Sequence, residues 1–288
     1  MVERPHLTRG PTRRQIHRRR LVALVVVLVV FGGCAWAAYA VVRGRHDSAA
    51  PPPATTLTAP KQVRVTFPEG FTTRQMAQVA GRTSQLITPT GYVRAAGRAR
   101  LPAGFGRPAS PEGFLFPDTY FVFETDPAAA LVEKQLENFR AKWSRVDLRY
   151  ARSKNLTPYD VLTIASMIEK EVVVPKERRL VAAVIYNRLH ERMPLGIDAT
   201  LRYGLGILPT KAITKRDLAS DSPYNTRRFR GLPPTPIANP GLASMQAAAH
   251  PAKVDYLYFV RTPDCRSHFF TASIEEFDAY TRQGLTNC

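Results

Sequence analysis

Residues 21–42 form an unbroken apolar run without a charged side chain, rich in Val and Ala and long enough to cross a bilayer as one helix. Beyond it the hydrophobic pattern breaks into short segments. Residues 63–67 alternate as a strand does, 68–70 read as a turn, and Thr72 caps a short helix carrying Met76, Val79 and Ala80. Asp126 and Pro127 open a long helix running to Trp143, with Leu131, Leu136 and Phe139 among its apolar positions. The best-delimited helix begins after Leu156. Thr157 suits its cap, Pro158 its first position, and Asp160 places a carboxylate in its first turn. Leu162, Ala165, Glu169 and Val172 then recur at three- and four-residue spacing and share one face. After a break at Pro175, a second helix buries Val181, Val184, Ile185 and Leu189, with Asn187 and Arg188 beside that face. A loop over 193–200 ends in a helix start, and a proline-rich loop fills much of 221–241. A short helix over 244–250, strands over 255–260 and 268–271, and a last helix opened by Ser273 complete an α+β pattern.

Charge decides the compartment. The arginines between residues 13 and 20 outnumber Arg43 and Arg45 after the apolar run, which keeps the N-terminus cytoplasmic and exports the rest. The run exceeds the usual signal-peptide core, so a single-pass signal anchor in the plasma membrane is expected, rather than cleavage after Ala38-Tyr39-Ala40. The net charge of +18 suggests nucleic acid at first, but nine Arg and one Glu lie in the first 45 residues. The remaining excess is diffuse and lacks interleaved aromatics, so no nucleic-acid partner is expected; an anionic membrane or wall polymer fits better. Three cysteines are too few for a disulfide framework, although Cys265 and Cys288 can pair if exported.

The chain has no P-loop, no GxGxxG, no GxSxG and no His/Cys cluster at zinc spacing. His250 and His268 stand alone and read as structural. What remains is carboxylate acid–base chemistry. Glu169 has two readings: a solvated residue at the edge of the stripe, or an acid whose pKa an apolar wall raises for work near neutral pH. Glu112 and Asp118 fit turn chemistry as well as a site, and Asp198 fits a helix cap as well as a site carboxylate. Tyr224, Asn225 and Thr226 suit either a groove wall or a structural wrap.

From Glu112 onward a series of blocks carries a resemblance. They run through Glu112-Gly113-Phe114-Leu115-Phe116-Pro117-Asp118-Thr119-Tyr120, Ala165-Ser166-Met167-Ile168-Glu169-Lys170-Glu171, Tyr186-Asn187-Arg188-Leu189, Met193-Pro194-Leu195 and Asp198-Ala199-Thr200. Ser222-Pro223-Tyr224-Asn225-Thr226, Gly231-Leu232-Pro233-Pro234, Asn239-Pro240-Gly241, His250-Pro251-Ala252-Lys253 and Tyr256-Leu257-Tyr258-Phe259-Val260 follow in order. Together they resemble the YceG/MltG family of membrane-anchored endolytic murein transglycosylases.

The resemblance implies a basic segment over 1–20, an anchor over 21–42, a linker over 43–60, a small LysM-like α+β unit over 61–107 and a mixed α+β catalytic domain over 108–288. It implies a lyase that cleaves the β-1,4 bond between N-acetylmuramic acid and N-acetylglucosamine in peptidoglycan and leaves 1,6-anhydro ends, terminating nascent strands. Carried over, the catalytic glutamate falls on Glu169. Asn187, Asp198, Thr200, Tyr224, Asn225 and Thr226 become the substrate-binding residues, and no metal or organic cofactor is implied. Peptidoglycan synthases of the penicillin-binding type are partners by resemblance alone. One departure stands out: Gly196 occupies a position where the family usually has Gln, removing a polar contact near Asp198. Asp198 and Glu171 are the candidates for a second carboxylate. The rival functions are a muramidase that hydrolyses the same bond and a non-catalytic wall-binding membrane protein.

Overall fold

The computed structural model describes residues 13–46 and 61–284, which fall into two units divided at residues 59 and 60. The first contains α1 (Arg13–His46). Its segment Leu21–Arg43 has a mean hydropathy of 2.6 and is apolar all round, so by length and composition it is a candidate membrane span. At 1.5 Å per residue those 23 residues extend about 35 Å, against a hydrocarbon core of about 30 Å. Residues 1–12, 47–60 and 285–288 lie outside the described residues; they include most of the expected linker and Cys288, which the sequence left able to pair with Cys265.

The second unit opens with β1 (Gln62–Thr66), α2 (Thr73–Thr83) and α3 (Pro89–Arg98). Thr72 caps α2 through a reciprocal capping box with Gln75. The chain then returns through β2 (Thr119–Phe123), which pairs antiparallel with β1 in the register Val63↔Val122 and Val65↔Tyr120. The small β-α-α-β arrangement therefore takes its last strand from beyond residue 107. Alternation puts Val65, Tyr120 and Val122 on the buried face of this two-stranded sheet.

The rest is largely helical: α4 (Ala128–Trp143), α5 (Arg149–Ser153), α6 (Pro158–Glu171), a 3₁₀ turn (Pro175–Glu177) and α7 (Arg178–His190). Next come α8 (Asp198–Leu205), α9 (Lys215–Leu218) and α10 (Leu242–Ala249), then the hairpin β3 (Tyr258–Arg261) with β4 (His268–Thr271), and α11 (Ile274–Arg282). The architecture is α+β, with two separate two-stranded antiparallel sheets among the described residues.

The position of α6 organises this unit. Thr157 and Asp160 form its capping box, and Pro158 sits in its first turn. Every residue from Val161 to Ile168 is buried, because α7 and α10 pack on one side and α8 approaches on another. A helix buried all round needs its polar side chains satisfied internally. Ser166 does this by donating to the Thr163 carbonyl at 2.7 Å and accepting from the Ile237 amide at 3.0 Å. That second bond pins the proline-rich loop to the helix. The core is continuous, from Val65 on the first sheet through Phe114, Phe139 and Ile164 to Ala249 on α10.

Candidate active site

A cleft of about 1540 Å³ opens where the start of α2, the end of α6, α8 and the β3–β4 hairpin converge. Its walls combine apolar surface with polar groups of both charges. Glu112, Glu171 and Asp198 face it together with Arg188, Arg227 and Arg261, and Tyr203 and Tyr224 contribute aromatic surface.

The last turn of α6 sends two carboxylates in different directions, because two residues on a helix are about 200° apart. Glu169 is half-buried and its Oε2 accepts from the Gly241 backbone amide at 3.0 Å. Gly70 backs onto its methylene, where an added Cβ would lie 3.4 Å from Glu169 Cγ. Glu69 crowds the same spot: a Cβ on Gly241 would fall 1.8 Å from Glu69 Oε1. Burial raises the pKa of Glu69, and the neighbouring charge of Glu169 raises it further. Glu169 does not line the cleft. Glu171 does, and burial pushes its carboxyl pKa upward, with Asp198 adding to the shift. Arg261, His268 and the Ala199 backbone amide act in the opposite sense.

Glu112 is a further carboxyl on the cleft wall and is almost fully buried. It accepts from the Thr73 amide at 2.8 Å, the Thr73 hydroxyl at 3.2 Å, Asn239 Nδ2 at 2.9 Å and the Tyr203 hydroxyl at 3.2 Å. Burial nevertheless dominates these bonds and its pKa is pushed up to about 7. An unperturbed glutamate titrates near 4.5, so between that pH and about 7 the folded chain binds more protons than the unfolded one. Stability from this group is therefore lost as pH rises through the window, by about 3 kcal/mol in total. The expected result is a melting temperature that falls between about pH 5 and about pH 8 by several degrees more in wild type than in Glu112→Gln. Equal slopes in thermal melts of the two proteins would remove Glu112 as the cause.

The other residues singled out from the sequence separate into two groups. Asp198 and Tyr224 face the cleft. Asp198 begins α8 without capping it, Ile197 being the N-cap, and its Oδ1 accepts from Arg227 Nε at 2.5 Å. The Tyr224 ring lies 5.2 Å from that of Tyr203, and its hydroxyl bonds with Thr235 Oγ1 at 2.9 Å. The polar atoms of the second group are occupied by the chain itself. Asn187 Nδ2 donates to the carbonyls of Val254 and Tyr256, both at 2.9 Å, and so braces the approach to β3. Asn225 donates to the carbonyls of Leu218 and Ser220. Thr200 and Thr226, both buried, bond to each other at 2.9 Å, and Thr226 Oγ1 accepts from the Ile197 amide. None of these four lines the cleft.

Gly196 has φ +67, where a side chain is strained, and a Cβ there would meet Arg188 Nη1 at 3.0 Å. Arg188 is held in place by donating to the carbonyls of Leu257, Pro194 and Leu195. The backbone at Gly196 thus closes directly onto a guanidinium.

Sequence periodicity did not single out Glu171, Tyr203 or Arg261 as residues facing one cleft. Glu171 was adjacent to the pattern, but a stripe cannot select a face on a helix that is buried on every side. Tyr203 and Arg261 carry no local signal, since only the approach of α8 and β3 to α6 gives them a common space.

Fold and site together define an α+β protein with a carboxylate-lined cleft at the C-terminal end of a buried helix, following a candidate membrane-spanning helix. The chain belongs to the YceG-like family, whose model matches residues 46–283. It is 39% identical over 149 residues to an endolytic murein transglycosylase of Bacillus subtilis, covering 52% of this chain and 41% of that protein. It is 32% identical over 227 residues to an endolytic murein transglycosylase of Streptococcus pneumoniae, covering 70% of this chain and 41% of that protein. The chain thus spans about two fifths of the length of these curated relatives. The crystal structure of a YceG-like protein from Listeria monocytogenes superposes with a TM-score of 0.67 at 29% identity, covering 75% of each chain.

Proposed function

We propose that this protein is an endolytic murein transglycosylase, anchored by α1 with its N-terminus in the cytoplasm, and that Glu171 rather than Glu169 is its acid. The observation that carries the assignment is the position of Glu171 on the cleft wall with a raised pKa, while Glu169 is turned toward Glu69 and Gly241. A raised pKa keeps a carboxyl protonated closer to neutral pH, as a proton donor requires.

In this mechanism protonated Glu171 donates to the glycosidic oxygen between N-acetylmuramic acid and N-acetylglucosamine. The bond to the muramyl anomeric carbon breaks, and the adjacent acetamido group stabilises the cationic centre. The muramyl C6 hydroxyl then attacks that carbon while the Glu171 carboxylate takes its proton. The ring closes as a 1,6-anhydro sugar, Glu171 is again protonated, and no water is consumed.

Hydrolytic glycosidases commonly need a second carboxylate to activate water or to act as nucleophile. The candidate nearest in charge to Glu171 is Asp198, and it is paired with Arg227. That pairing favours the single-carboxylate route. A cleft that combines apolar and aromatic surface with charged groups suits a sugar strand, and Asp198 and Tyr224 are the proposed contacts among the residues expected from the sequence. A role in terminating nascent strands, and peptidoglycan synthases as partners, are proposals that rest on the family resemblance. The test is digestion of purified glycan strands by the full chain in detergent, followed by mass spectrometry. Ends lighter by one water than reducing ends are expected. Reducing ends would make the protein a muramidase, and undigested strands would leave it a wall-binding protein.

A further inference from the structure

Glu177, in the 3₁₀ turn after α6, and His268, the first residue of β4, form a buried pair that the proposed mechanism has not used. Glu177 Oε1 accepts from the His268 backbone amide at 3.2 Å, and Oε2 lies 2.8 Å from His268 Nδ1. The His268 side chain is 1% exposed and that of Glu177 is 5% exposed. Phe259 and Phe270 meet the imidazole at steep angles, 80° and 62°, with centroids 5.4 and 6.0 Å away. The ring is therefore fixed in plane and orientation. With Nδ1–H donating to Glu177, Nε2 is its open position. Among the described residues Nε2 has no hydrogen-bond partner, although it is buried.

Leaving a buried polar atom unpaired forfeits its hydration with nothing in return, so such an atom in a native site calls for a partner in some working state. His268 lines the same cleft as Glu171. We propose that His268, oriented by Glu177, is a positioning residue for Glu171: its Nε2 takes the Glu171 carboxyl as hydrogen-bond partner in the reactive state. The inference rests on the reading of Glu171 as the acid. With both ring nitrogens protonated, Nδ1–H donates to Glu177 and Nε2–H donates to one Glu171 carboxyl oxygen, so the oxygen that carries the acid proton is turned toward the glycan. After proton donation Nε2–H still donates to the Glu171 carboxylate and steadies its charge until the C6 hydroxyl returns a proton to the other oxygen. Every proton that leaves Glu171 in the first half-step is thus replaced in the second, and none is lost to His268.

The groups that bear on Glu171 come from each neighbouring element: Asp198 and the Ala199 amide from α8, Arg261 from β3, His268 from β4, and Arg227 from the loop before the proline-rich segment. His268 acts to lower the Glu171 pKa. Its removal should move the basic limb of the kcat/KM–pH profile to higher pH.

His268→Asn keeps a polar atom near the Nδ1 position for Glu177 and deletes Nε2, whereas His268→Gln places an amide nitrogen near the Nε2 position. The experiment measures kcat/KM for anhydro-end formation against pH for the full chain in detergent, with thermal melts as a fold control. The Asn variant is expected to lose about 10-fold or more, with the basic limb shifted upward, and the Gln variant to recover part of the rate. A folded Asn variant with wild-type rate and profile would overturn the proposal. Selective ¹⁵N-histidine NMR of wild type and Glu171→Gln needs no variant at His268, and the Nε2 resonance is expected to respond to the Glu171 change. An unresponsive Nε2 would also overturn it. If Glu171→Gln itself digests strands normally, the functional reading fails instead, and the two failures are told apart.

Discussion

Glu171→Gln is expected to lower the rate of anhydro-end formation by about 10²–10⁴-fold, the usual range for removing a general acid–base group. Gln preserves size and can still accept from the Ala199 amide, so binding and fold should persist while proton donation is lost. Glu169→Gln makes the informative contrast. A Gln carbonyl can still accept from the Gly241 amide, and the change removes a like charge beside Glu69, so its activity should stay within about threefold of wild type. Both variants are measured with the same glycan strands by product mass spectrometry. Normal turnover by Glu171→Gln together with an inactive Glu169→Gln would return the acid to Glu169 and move the reaction out of the cleft.

Asn239→Ala is expected to destabilise the unit over residues 60–288 by about 4 kcal/mol. Its side chain is fully buried and joins three segments of the chain. Oδ1 accepts from the Gly113 amide at 2.9 Å and the Leu115 amide at 3.0 Å, while Nδ2 donates to the Phe71 carbonyl at 3.0 Å and to Glu112 Oε1 at 2.9 Å. Truncation leaves two buried amides and a carbonyl without these partners, which explains why the expected cost exceeds that of an ordinary hydrogen bond. For a unit of this size the melting temperature should fall by about 10 °C. Urea denaturation should show a lower midpoint with an unchanged slope. A loss below about 1 kcal/mol would mean that water or local rearrangement satisfies the orphaned groups.

Local signals were legible where one segment specifies its own conformation. Thr157, Pro158 and Asp160 announce the start of α6, and Thr72 that of α2, because a cap is a bond between residues three apart. The strand at 268–271 and the helix opened by Ser273 follow for similar reasons. Other features were obscured. No local pattern announces β2 directly after Asp118, because the strand it pairs with, β1, lies more than fifty residues away in sequence. Helix α3, started by Thr88 and Pro89, was hidden in a segment of weak hydrophobic period. Glu112 fitted turn chemistry as well as a site, and nothing local foretold that Thr73, Tyr203 and Asn239 would gather around it.

The amino-acid pattern was sufficient for the apolar helix near the N-terminus, the α+β class, the capped helix bearing the Glu169-Lys170-Glu171 block, and the family. Composition, spacing and ordered blocks are properties of the chain itself. Which carboxylate faces the cleft was a tertiary matter. Periodicity marks a buried face only when the opposite face is solvated, and α6 is buried all round by α7, α8 and α10. The packing of α8 and the β3–β4 hairpin beside the last turn of α6 leaves Glu171 on the cleft wall, while the start of α10 brings the Gly241 amide onto Glu169.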